Sequence, residues 1–116
     1  MPNPVVHFEI TGKDGAKLQN YYKELFQWEI NANNPMNYGM VDTQSGGING
    51  GISGSDGGPG YVTIYVEVAD LQATLDKAVE LGGKIIMPIT EIPDMVTMAL
   101  FTDIENNIVG IIKARG

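Results

Sequence analysis

The spacing of apolar residues along this chain changes period several times, and the changes run twice in the same order. Residues 5–10 and 62–68 are short runs of apolar and β-branched residues, a pattern that predicts strands. Behind the first run, Leu18, Tyr21, Tyr22, Leu25 and Phe26 fall at i, i+3, i+4, i+7 and i+8, one face of a helix predicted over 15–26. Leu71, Leu75, Ala78 and Val79 make a similar face over 71–81. Asp14 and Asp70 stand just ahead of these helices, where a carboxylate can accept the free N–H groups of a first turn. Gly82-Gly83 is placed to end the second helix. After each helix the period drops to about 2, and strands are predicted over 28–31, 38–43 and 47–53, then over 84–89, 96–101 and 108–113. The turn-forming clusters NANNPMN, TEIPD and DIENN separate them.

An offset of 56 residues lays Val6 on Val62, Asp14 on Asp70, Glu24 on Glu80, Leu25 on Leu81 and Ile30 on Ile86. The chain therefore reads as two βαβββ modules, one over about 4–53 and the other over about 61–115. The glycine-rich stretch 54–60 joins them. Modules this short bury too little surface to stand alone, so a single domain over 1–116 is expected. Packed together they would form an α+β fold. One curved mixed sheet would carry both helices on its outer side and a pocket in its hollow.

Apolar residues at 43% and charged residues at 18% suit a packed core. Seven Lys and Arg against fourteen Asp and Glu give a net charge of -7, which argues against nucleic acid as a partner. Solubility alone accounts for such a charge, although it would also attract a cationic ligand. No apolar run reaches the ~20 residues of a membrane span, and the N-terminal sequence MPNPVVHFEI does not read as a secretory signal. With no cysteine, disulfides and thiolate chemistry are excluded. A cytoplasmic protein with no membrane partner is the expectation.

These residues carry a resemblance. They are a histidine in the first strand, YYKELFQW at the first helix–strand junction, strand–Asp–helix–LGG in the second half and FTDIENNIVGI near the end. Together they resemble the vicinal oxygen chelate superfamily, which includes glyoxalase I, bleomycin-resistance proteins and extradiol dioxygenases. The resemblance spans nearly the whole chain. In the family the closing stretch often reads Asp-Pro-Glu-Gly-Asn, whereas here it is Asp103-Ile104-Glu105-Asn106-Asn107. The resemblance implies the glyoxalase/bleomycin-resistance-like fold, a small organic ligand in the concave face, and a homodimer.

It also implies a ligand set of His or Gln, Glu, His and Glu, contributed by the first and last strands of each half. His7 holds the first position. Its repeat partner is Thr63, a poor ligand. The fourth position is Gly110, and the end of the first half offers Gly50 or Gly51 where a carboxylate is needed. One ligand of four survives, and catalytic sites generally supply about three. No metal and no other cofactor is therefore expected. A rebuilt set of His7, Glu9 and Glu67 is the alternative, giving a metal-dependent glyoxalase-like lyase or dioxygenase.

His7 is the sole histidine, and its acid/base reading competes with an inherited position satisfied by a neighbour. Glu9, mid-strand, shares the face of His7. It is a candidate base, or else a solvated strand residue. Thr63, Tyr65 and Gly110 complete the expected ligand pocket with His7 and Glu9, and Tyr61 is weighed between cavity wall and core. Tyr21, Tyr22, Phe26 and Trp28 are expected in the core, as are Met87, Met95 and Met98. The glycines of 46–60 lack the Lys-Ser/Thr ending of a phosphate loop, and a strand follows them, so nucleotide binding is not expected. Two classes remain open. One is a module that sequesters a small molecule. The other is an enzyme, metal-free with His7 or Glu9 as base, or metal-dependent.

Overall fold

The computed structural model describes residues 2–93 and 96–114. The chain divides into two compact units. The first spans residues 7–63, and the second takes the described residues up to Val6 and from Ile64 onward. In chain order the elements are β1 (Val5–Gly12), α1 (Gly15–Phe26), β2 (Glu29–Asn31), β3 (Gly39–Asp42) and β4 (Gly50–Gly54). They continue as β5 (Val62–Val68), α2 (Leu71–Glu80), β6 (Lys84–Ile92), β7 (Val96–Thr102) and β8 (Ile108–Lys113). This is βαβββ twice, the α+β class expected. No helix among the described residues is long and apolar enough to cross a membrane.

In the first unit the strands run in the order β2-β3-β4-β1, with β1 parallel to β4 and the other pairs antiparallel. Asp14 caps α1, its Oδ1 accepting from the Lys17 N–H at 3.0 Å. The helix ends at Gln27, which takes the left-handed conformation (φ 59°) usually filled by glycine or asparagine. Ile10, Val41 and Ile52 form the buried core, and Phe8, Leu18, Tyr22, Trp28 and Ile30 pack against it. Fully burying a side chain such as Ile52 stabilises by about 2 kcal/mol. The α1 face is only partly covered, however. Tyr21, Leu25 and Phe26 remain 57%, 54% and 52% exposed and are not core residues. Helical spacing tells which side chains share a face, not whether another element lies over all of it.

The second unit orders its strands β5-β8-β7-β6, with β5 parallel to β8. Asp70 caps α2 through the Ala73 N–H at 2.9 Å. At the other end the Gly83 N–H reaches Ala78 O and the Gly82 N–H reaches Val79 O, the paired bonds of a Schellman turn, with Gly82 at φ 108°. One side of the sheet packs Val68, Ala99 and Ile111 with Leu71 and Leu75 of α2. The other side buries Tyr65, Met98 and Leu100. Met87 is partly exposed, and Met95 lies outside the described residues. The pairing of β6 with β7 shifts register between Ile85 and Met87 and again between Met87 and Thr90, an interval containing Pro88.

Two details explain the bounds of the units. Pro4 O accepts from the Glu67 N–H at 2.9 Å, which ties the chain start to the second unit. Tyr61 is bonded to Thr11 in both directions: its O accepts from the Thr11 N–H at 2.9 Å, and its N–H donates to Thr11 Oγ1 at 3.1 Å. This keeps residues 54–61 with the first unit. The closing turn of the second unit places Asn106 at φ 65°, which suits the glycine more usual there. Asp103 Oδ1 accepts from the N–H groups of Glu105 and Asn107, and Oδ2 from the Asn107 amide. These bonds hold the Asp103 carboxyl below its ordinary value.

Candidate functional site

Strand alternation divides the residues of β1. Phe8 and Ile10 face the α1 core, so His7, Glu9 and Thr11 lie on the opposite face of the sheet. Register extends that face sideways, with Glu9 opposite Gly51 of β4 and Gly51 opposite Met40 of β3. Tyr38 stands two residues before Met40 and shares its face.

At this point a missing side chain matters. A Cβ placed on Gly51 would fall onto the phenol end of Tyr38. The tyrosine lies across β4 through the space a side chain at Gly51 would fill. It thereby reaches both His7 and Glu9 of β1. Its Oη stands 2.8 Å from His7 Nε2 and donates to Glu9 Oε2 at 3.1 Å. The imidazole and phenol rings are nearly parallel, at 16°. Tyr61, fixed to Thr11 through its backbone, donates its own hydroxyl to Glu9 Oε1 at 3.2 Å. Both oxygens of a carboxylate that is only 9% exposed thus accept from phenols.

The proton directions follow. Tyr38 has one hydroxyl proton and uses it on Glu9, so the bond from His7 requires a proton on Nε2. Burial lowers the His7 pKa from its ordinary 6.5, which keeps the ring neutral at pH 7. Tyr61 is pushed up to about 12, first by burial, then by the Glu9 charge and the hydrogen bond to it. The cluster thus joins a neutral imidazole to a carboxyl group whose two oxygens accept from two phenols.

The loop before β3 is built to present Tyr38. The Asn34 side chain accepts from the Tyr38 N–H at 3.0 Å and donates to the Tyr38 O at 2.8 Å. From α1, Gln19 Nε2 donates to Ile52 O at 2.7 Å and to Asn37 O at 3.1 Å. Tyr38, Asn34 and Gln19 were not visible as site residues in the sequence. The one signal was the glycine at 51, in a strand position that resemblance would fill with a carboxylate.

The remaining expected residues fall as follows. Thr63, at the end of the first unit, is 5% exposed. In the second unit Tyr65 pairs with Gly110, and a Cβ there would run into the Tyr65 ring. Tyr65 is itself buried with Met98 and Leu100. The structure therefore joins His7 to Glu9 through Tyr38, and joins Tyr65 to Gly110. Glu67 is half-buried in β5. Among the described residues, no three of His, Cys, Asp and Glu come together in a way that could hold a metal ion.

No curated protein matches the chain. Among solved structures, a glyoxalase/bleomycin resistance protein/dioxygenase superfamily member from Vibrio splendidus superposes with a TM-score of 0.64 at 15% identity, covering 97% of this chain and 100% of that one. Methylmalonyl-CoA epimerase from Mycobacterium tuberculosis gives 0.66 at 11% identity, covering 97% and 88%. The Streptomyces coelicolor epimerase, in complex with 2-nitronate-propionyl-CoA, gives 0.64 at 14%, covering 100% and 97%. At these identities the likeness is one of fold. The family model for the Glyoxalase/Bleomycin resistance protein/Dioxygenase superfamily matches residues 5–111, and the chain belongs to that superfamily.

Proposed function

We propose that this protein binds a small organic molecule against the cluster of His7, Glu9, Tyr38 and Tyr61, and that it does so without a divalent metal ion. One observation carries the reading: the Tyr38 phenol fills the side-chain space of Gly51 and bridges His7 to Glu9. The donors that an ion would need do not fit. The Nε2 proton of His7 points to a phenol, and Gly51 and Gly110 bear no side chain. A half-buried group of aromatic hydroxyls around one carboxylate instead suits the orienting of a polar organic molecule, with the rings supplying contact area.

Elemental analysis of protein purified without a histidine tag tests the metal half of this reading. Less than ~0.1 metal per chain is expected, since a site of this kind would otherwise hold its ion through purification. Near-stoichiometric zinc, nickel or iron would overturn it. Saturable binding of one organic ligand per chain, weakened in Tyr38→Phe and Glu9→Gln, tests the other half. Ligands that bind those variants as tightly as wild type would place the site elsewhere.

The continuous path from His7 Nε2 through Tyr38 Oη to Glu9 Oε2 favours one second reading, proton transfer to or from the bound ligand with His7 or Glu9 as base. Turnover that resists chelator and is lost in Glu9→Gln would support it over simple binding. A homodimer fits the same superfamily membership, and the exposed Tyr21, Leu25 and Phe26 offer apolar surface for one. Sedimentation as a monomer at micromolar concentration would exclude it.

A further inference from the structure

We infer that Asn49 is a modification site: its side-chain amide becomes a carboxylic acid by ring closure onto the backbone nitrogen of Gly50, assisted by the donors of Thr43. The site stands apart from the proposed ligand cluster and does not depend on it.

The sequence supplies the pair. Of nine asparagines, Asn49 is the one followed by glycine. A residue without a Cβ leaves its own nitrogen open to an approaching carbon. The fold itself requires glycine there, because a Cβ at Gly50 would lie 2.5 Å from the Phe8 O and 2.6 Å from its ring. Asn49 is exposed and stands just ahead of β4, at the end of the turn that starts from Thr43.

The hydrogen bonds supply the activation. Asn49 Oδ1 accepts from the Thr43 N–H at 3.0 Å and from the Thr43 hydroxyl at 3.3 Å. Both donors sit on the oxygen where charge gathers when a nucleophile adds to Cγ. Among the described residues no group bonds to Nδ2, so the leaving nitrogen faces water. Direction agrees as well. The Asn49 O turns toward β1 to accept from the Phe8 N–H, and a trans peptide then turns the Gly50 N–H the other way, toward β3. Thr43 directly follows β3, and its bond draws the Asn49 side chain to that same side.

In the reaction the Gly50 nitrogen gives its proton to water and bonds to Asn49 Cγ. The Cγ–Nδ2 bond breaks, and Nδ2 leaves as ammonia with a proton taken from water. A second water opens the resulting succinimide at either carbonyl, leaving an aspartyl or an isoaspartyl residue. No oxidant, reductant or cofactor is consumed. The barrier is the ladder bond of the Gly50 N–H. It belongs to the outermost pair of β3 with β4, Val41 with Gly50, and strand ends open before strand centres. An aspartyl carboxylate still accepts from Thr43, so the turn survives that product.

Full-length protein is held for days at mildly alkaline pH, either folded or in guanidinium, and its peptides are mapped by mass spectrometry. In the folded chain Asn49 should convert ahead of every other asparagine, with ammonia released in equal amount. Thr43→Val, which removes one of the two donors, should slow the folded rate roughly two- to tenfold. Thr43→Ser, which keeps the hydroxyl, should convert as wild type does. Conversion of another asparagine ahead of Asn49 overturns the inference, as does an Asn49 that converts in guanidinium but not in the folded chain. An unchanged or faster rate in Thr43→Val also overturns it, by showing that Thr43 restrains the amide rather than activating it.

Discussion

Tyr38 occupies the volume that a side chain at Gly51 would take, and the two residues cannot both be large. Gly51→Ala should therefore expel the phenol and break its bonds to His7 and Glu9, at a cost of about 1–3 kcal/mol. Thermal melts of Gly51→Ala, Tyr38→Ala and the double variant measure the coupling. The double variant is expected to be more stable than the two single losses predict. Strict additivity would show that the two positions do not compete.

The Tyr61 phenol should titrate well above its ordinary value. Tyrosinate absorbance is expected to show a phenol ionising near 12, assigned to Tyr61. In Glu9→Gln that step should move toward 10, because part of the shift comes from the Glu9 charge and hydrogen bond. The sign for stability follows from the neutral phenol being favoured in the fold. Its contribution is intact below pH 10 and is lost as pH rises from 10 through about 12. An unchanged titration in Glu9→Gln would separate Tyr61 from Glu9.

The lone histidine gives a second pH test. Burial lowers its pKa, so the unfolded chain takes up a proton near 6.5 while the folded chain still refuses it. Stability should fall as pH drops below 6.5, until the folded value is passed. Denaturant melts across this range, compared with His7→Asn, isolate the effect because no other imidazole exists. A slope that persists in the variant would belong to other groups.

Tyr38 should depend on Asn34, which holds both its N–H and its O. Asn34→Ala is expected to cost about 1 kcal/mol and also to change the His7 titration, although the two residues are not bonded in the structure described. Asn34→Asp, which keeps the acceptor, should restore part of it. Lost stability with an unaltered His7 titration would reduce Asn34 to a loop support.

Much of the fold was legible because it rests on local rules. The periodicity of 15–26 gave α1, and Asp14 and Asp70 cap where their carboxylates can reach the first turn. The offset repeat gave the doubled βαβββ order. Coverage was not legible, since a stripe of Tyr21, Leu25 and Phe26 looks the same whether or not something lies on it. His7 and Glu9 could be chosen because alternation within one strand puts them on one face. Tyr38 could not. It meets His7 across 31 positions of sequence, and only the register of three strands brings it over Gly51.

The broken register of β6 has a consequence for crowded solutions. Ile85, Ile86 and Ile89 are each at least 40% exposed along a strand bonded on one side to β7, a combination that ordinarily templates stacking of one copy on another. Here an incoming strand would meet no amide proton at Pro88 and two interruptions of the hydrogen-bonding rhythm. Along this border the backbone geometry opposes copying of the strand, and the charges of Lys84 and Glu91 near its ends add to that opposition.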